Sequence, residues 1–171
     1  MPLRSRPLPP SHRSHCICPR FIFDCDKPAS GELPTFAEGD TKTSYKHLGL
    51  IAGGSGITPC LQVANALVAA DLDVTVHVLY ANKTPDDVLC RPELDRLAED
   101  RRVRVWYTAS KAPPGWGFST GRIDELMLRK HMPPPGEHTR VFMCGPPGMI
   151  DSACKPNLAK IGYPASHLHC F

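Results

Sequence analysis

An α/β fold, built on a doubly wound and mostly five-stranded parallel sheet, is implied by the way apolar runs alternate along this chain. From Tyr45 onward, short runs rich in β-branched residues take turns with segments whose apolar residues keep helical spacing. Strand then helix, repeated, is the pattern of a parallel sheet covered on both faces. Two of the strand ends are rich in glycine, as ligand-binding ends of such sheets are, and right-handed crossovers make double winding the default. The sheet is assigned to residues 45–171, and residues 1–44 to a disordered or remnant, irregular N-terminal extension.

The first strand is Leu48-Gly49-Leu50-Ile51-Ala52, an apolar run with the length of a buried strand. It ends in Gly53-Gly54-Ser55-Gly56. Thr58 is then the expected helix N-cap, with Pro59 at the first helical position and Leu61, Ala64, Leu67 and Val68 at helical spacing. Val74 to Tyr80 is a second strand, Arg91 to Glu99 a short helix, and Val103 to Thr108 a third strand. A helix over Ile123 to His131 leads to a fourth strand, Val141 to Cys144. A helix from Pro147 to Ile161 follows, with Pro156 as a candidate break and Gly162 suited to its C-terminal cap. His167 to Phe171 is a short closing strand. In the extension, Phe21-Ile22-Phe23 is an isolated apolar run that reads as a strand from a preceding domain.

Composition narrows the function. Twenty basic and 17 acidic side chains leave a net charge of +3, too even for a nucleic-acid or anionic-membrane surface. The longest apolar stretch is far short of a membrane span, and there is no secretory signal. Eight cysteines are scattered through apolar segments without a Cys-x-x-Cys pair, which reads as reduced thiols in a cytoplasmic protein. Residues 1–20 are basic and proline-rich, with no acid before Asp24. They read as disordered, and share only their Ser/Arg content and lack of acids with organellar targeting peptides. His12, His15, Cys16, Cys18 and Cys25 match no standard zinc spacing, so no metal is expected.

Two strand ends carry the chemistry. In Gly53-Gly54-Ser55-Gly56-Ile57-Thr58-Pro59 the glycines let backbone approach a ligand, and the free N–H groups of the next helix suit a pyrophosphate. No Gly-Lys-Ser/Thr follows, so it is not a P-loop. Pro59 stands where the dinucleotide fingerprint has its third glycine. The alternative is a tight turn without a ligand. In Cys144-Gly145-Pro146-Pro147-Gly148-Met149 a rigid turn offers a surface for a planar group. Taken alone, Cys144 reads first as a buried small hydrophobe, the usual fate of a free cysteine; a thiol nucleophile is a further reading, though no histidine is placed by sequence to activate it.

Together these segments, with Ala81-Asn82-Lys83-Thr84, Arg91-Pro92-Glu93-Leu94, Trp106-Tyr107-Thr108, Gly115-Trp116, Met143 to Met149 and Pro156-Asn157-Leu158, resemble the ferredoxin-NADP reductase superfamily, in its cytochrome-b5 reductase and nitrate reductase branch. The resemblance covers about residues 45–171 and implies that superfamily's NAD(P)-binding module. It implies hydride transfer from NAD(P)H to FAD and onward electron transfer to a heme protein, cytochrome b5 or a fused heme domain. Gly53, Gly54, Ser55, Gly56, Thr58 and Pro59 would then line the pyrophosphate and the flavin–nicotinamide junction, with Thr58 close to the chemistry. Gly145, Pro146, Pro147 and Met149 would contact the dinucleotide, and Cys144 would place the nicotinamide. Phe171 would lie near the active-site end; its alternative is a last apolar strand residue.

Relatives preferring NADH carry an aspartate after the Trp-Tyr-Thr strand, which accepts hydrogen bonds from the ribose 2′-hydroxyl and repels a 2′-phosphate. This chain has Ser110 there, with Lys111 and Arg122 as nearby cations, so NADPH is expected to be accepted, alongside or instead of NADH. The family's flavin-binding barrel and its Arg-x-Tyr-type motif are not evident. The expected partner is therefore the missing FAD-binding domain, and a catalytically inactive dinucleotide-binding subunit stands as the alternative function.

Overall fold

The computed structural model describes residues 15–17 and 21–171. The targeting and metal readings made on the first 20 residues lie, apart from 15–17, outside the described residues. Among the described residues there are two sheets. The first is antiparallel, in the order β1 (His15–Ile17), β2 (Phe21–Asp24), β3 (Thr35–Glu38), β4 (Thr41–Ser44). The irregular extension is thus corrected: from residue 15 it holds strands. Its hairpin turns at Gly39, whose φ of +58° glycine tolerates best.

What holds this small sheet is aromatic burial. Phe21, Phe23 and Phe36 are fully covered and meet Phe142 of the second sheet at ring-centroid distances of 5.0, 5.1 and 4.9 Å. A buried phenylalanine contributes about 1.5–3 kcal/mol, and these three fasten the small sheet onto the second one.

The second sheet is wholly parallel and has six strands rather than five. Its order is β10 (Leu168–Cys170), β9 (Thr139–Cys144), β5 (His47–Gly53), β6 (Thr75–Asn82), β7 (Val103–Ala109), β8 (Ser119–Thr120). The unexpected strand is β8, two residues paired to Thr108 and Ala109, too short for any periodic signal. α1 (Ile57–Ala69) and α2 (Arg91–Leu97) share one face with the antiparallel sheet. α3 (Glu125–His131) and α5 (Lys155–Lys160) cover the other. Asp124 caps α3, its carboxylate accepting from the Met127 N–H at 2.8 Å.

The helix start after β5 differs from expectation. A 3-10 turn over Gly54–Gly56 runs directly into α1, so Gly56 is the N-cap and Thr58 and Pro59 lie inside the first turn. The Thr58 hydroxyl donates back to the Ser55 carbonyl at 3.1 Å instead of capping forward. The last helix is not broken at Pro156. A short α4 (Pro147–Met149) passes through a π turn, Ile150–Cys154, into α5. Proline lacks an N–H and its ring crowds the carbonyl four residues back, and the wide turn just before it makes that room. Among the described residues, no helix is long and apolar enough to cross a membrane, and no cluster of metal-ligating side chains occurs.

Candidate functional site

The strand order reverses between β5 and β9. From β5 the chain builds outward through β6, β7 and β8, then returns to the other side for β9 and β10. Such a switch opens a crevice at the carboxyl ends of the strands. A cleft of about 940 Å³ lies there. Gly53 and Gly54 form its wall at the end of β5, Pro146, Gly148 and Met149 form the facing wall after β9, and Ser152 and Asn157 of the last helix close one side.

The two glycine turns interlock. A Cβ on Gly53 would meet Met149 Sδ at 2.8 Å and Pro146 Cδ at 3.0 Å. One on Gly145 would lie 3.1 Å from both the Cα and N of Gly53. One on Gly56 would fall on the Cys144 carbonyl. These absent side chains are why the ends of β5 and β9, paired at Ala52 and Cys144, come together backbone to backbone. Gly54 has φ +54° with open space around it, a turn that leaves backbone facing the cleft. Tyr80, fully buried on β6, pins this turn: its hydroxyl donates to the Gly54 carbonyl at 2.8 Å and accepts the Leu89 N–H at 3.3 Å. Sequence reasoning missed Tyr80, because nothing local to it signals a partner 26 residues away.

The other end of the cleft is cationic. Ser110 and Arg122 line it, as does Lys83, while Lys111 does not. The Lys111 N–H donates to the Lys83 carbonyl at 2.7 Å, so the two loops run side by side, yet Lys83 is the lysine that reaches the cleft. Lys83 and Arg122 are exposed and enter no ion pair among the described residues. One acid shares the wall: Asp87 accepts the Thr84 N–H and hydroxyl at 2.8 and 2.7 Å, and these bonds hold its carboxyl below the usual range. Ser55 and Thr58 are exposed beside the glycine turn, Pro59 is half-buried, and none of the three lines the cleft. Pro147 is exposed at the start of α4.

Cys144 is half-buried where the two turns meet, and burial pushes its thiol up. A thiol so held is protonated at neutral pH and is a poor nucleophile. Alkylation by iodoacetamide at pH 7 should therefore modify Cys144 more slowly than a free cysteine, and Cys144→Ser should keep the cleft's affinity for its ligand. Mass spectrometry over a time course checks this; preferential, rapid labelling of Cys144 would restore the thiol-enzyme reading. Phe171 lies outside the cleft lining. Its ring packs 5.7 Å from Phe21 and 5.4 Å from Phe142, and its N–H donates to the Met143 carbonyl at 3.1 Å.

The profile of the oxidoreductase NAD-binding domain family matches residues 50–155. NADH-cytochrome b5 reductase 3 of Rattus norvegicus is 48% identical over 131 residues, 75% of this chain and 44% of that protein. Nitrate reductase [NADH] 2 of Phaseolus vulgaris is 46% identical over 121 residues, 69% of this chain and 14% of that protein. The chain therefore spans less than half the length of these relatives. The crystal structure of the cytochrome b5 reductase domain of Ulva prolifera nitrate reductase superposes with a TM-score of 0.81 at 34% identity. It covers 89% of this chain, a larger share than residues 45–171 make up, and 55% of its own. The interlocked turns, the switch-point cleft and these likenesses agree: the chain belongs to the oxidoreductase NAD-binding domain family, in the cytochrome b5 reductase and nitrate reductase branch of the ferredoxin-NADP reductase superfamily.

Proposed function

We propose that this chain is the nicotinamide half of a flavin-dependent reductase, binding NAD(P)H for hydride transfer to FAD, with electrons then passing to a heme protein. The single observation that carries this reading is the meeting of the Gly53–Gly56 and Cys144–Met149 turns at the switch point, where bare backbone lines both walls of a large cleft. A nicotinamide dinucleotide, when bound, supplies a hydride. The chain's residues hold and orient it. The backbone of Gly53 and Gly54 accepts the close approach of the pyrophosphate, Met149 and Pro146 pack against a planar ring, and Cys144, behind the lining where the two turns meet, is a neutral, compact side chain that lets them close.

Cofactor choice rests on the cationic end. Neutral Ser110 with Lys83 and Arg122 suits a 2′-phosphate, since cations on flexible stems pair readily with phosphate oxygens. NADPH is accordingly the preferred donor in this reading, although the relatives above are named for NADH. Residues 45–171 form the nicotinamide module, and the β1–β4 sheet is the closing piece of the flavin domain. The breadth of the Ulva match and the shared Phe21–Phe142 core support that division.

The test is anaerobic. The purified chain is mixed with FAD, desalted, and titrated with NADPH. The chain alone should retain no flavin band, while fusion to the flavin domain of the rat reductase should give a band that NADPH bleaches. A fused protein that binds flavin and nucleotide but stays oxidised would instead mark the chain as an inactive dinucleotide binder.

A further inference from the structure

At the opposite end of β9 from the dinucleotide cleft, a gap of about 410 Å³ separates the β3–β4 hairpin from the start of β9 and β10. Arg140 lines it and is only 9% exposed. Its Nη1 donates to the carbonyls of Glu137 and Thr139, at 2.5 and 2.8 Å, and approaches His167 Nδ1 at 3.5 Å. Its Nε is buried with no partner, and the guanidinium forms no ion pair among the described residues. A buried, unpaired guanidinium is costly, and carbonyls satisfy only part of its fork.

The gap's remaining walls suit an anion. Thr43 and Ser166 offer hydroxyls, and His167 and His169 offer imidazoles. Among the described residues, His169 Nε2 is buried without a partner, while its Nδ1 stands 3.4 Å from Glu38, a carboxylate on the wall. Burial pushes both imidazoles down; neutral His167, with Nδ1 facing the Arg140 donor, presents its Nε2–H, whereas neutral His169 spends its N–H on Glu38.

We propose that this gap binds a small oxyanion of the phosphate or sulfate class, anchored by Arg140 and contacted by His167, Ser166 and Thr43. Arginine's planar fork matches the geometry of such an anion. Thr43 belongs to the first sheet, Arg140 to the second, and Ser166 and His167 to the 3-10 turn that leads into β10, so the anion ties the two sheets together. The site is separate from the dinucleotide cleft and does not depend on what that cleft binds.

Inorganic phosphate titrated into the full chain at pH 7, followed by calorimetry and by thermal melting at matched ionic strength, tests this. Saturable binding should raise the melting temperature. Arg140→Gln should weaken it about tenfold or more, as expected for losing a charge-assisted bond. Lys83→Gln with Arg122→Gln, which strips the cations of the other cleft, should leave it in place. Should Arg140→Gln fail to fold, Thr43→Val with His167→Ala carries the same expectation. No saturable binding, or binding lost with the Lys83/Arg122 pair and indifferent to the Arg140 and Thr43/His167 changes, overturns the proposal.

Discussion

Gly56→Val is expected to eliminate measurable dinucleotide binding and to destabilise the fold by about 1–3 kcal/mol, the usual cost of overpacking a close-packed site. The added side chain would collide with the Cys144 carbonyl. That carbonyl belongs to β9, which is held on one side by β5 and on the other by β10, so it cannot swing aside as a flexible side chain would. The Gly53–Gly56 turn must move instead, and both walls of the cleft move with it. Gly117→Ala makes the control: nothing lies within 4 Å of a Cβ there. Denaturant melts and nucleotide titration of the two variants check the contrast. A Gly56→Val protein that binds NADPH normally would mean that the interlocked turns do not form the site.

Replacing Lys83 and Arg122 together by glutamine should weaken NADPH about 100-fold and NADH only a few-fold. Each charge-assisted contact to a phosphate is worth roughly 1.5–3 kcal/mol, and every 1.4 kcal/mol is about tenfold in affinity. NADH carries no 2′-phosphate and should barely register the change. Ser110→Asp should act in the same direction by placing an anion beside the same oxygens. Competitive titration of both nucleotides reads these effects. Equal losses for NADPH and NADH would remove the 2′-phosphate assignment while leaving the dinucleotide cleft intact.

The parallel sheet is legible in the sequence because its strands are buried on both faces and are therefore nearly continuous apolar runs, such as Leu48 to Ala52. Legibility ends where structure depends on partners distant in sequence. β3 and β4 are four residues each and mostly polar, and only Phe36 in them is buried. Their existence depends on Phe142, more than 100 residues away. Thr58 and Pro59 look like a helix start because such residues usually are, but the 3-10 turn of Gly54–Gly56 had already begun the winding.

The candidate site was legible in its glycines and prolines, whose spacing is local. Its cations were only half legible. Lys83 stands one residue past β6 and Lys111 two past β7, and the crossing of two loops decides which one reaches the cleft. Tyr80 and Arg140 gave no signal at all, since each matters through a contact with another strand end.

The folded chain is expected to bind a nicotinamide dinucleotide in the switch-point cleft. Calorimetric titration of the purified chain with NADPH and, separately, with NADH addresses this most directly. One molecule of NADPH per chain, bound more tightly than NADH and lost in Gly56→Val, is the predicted result. A chain that is folded by circular dichroism yet takes up neither nucleotide would contradict it.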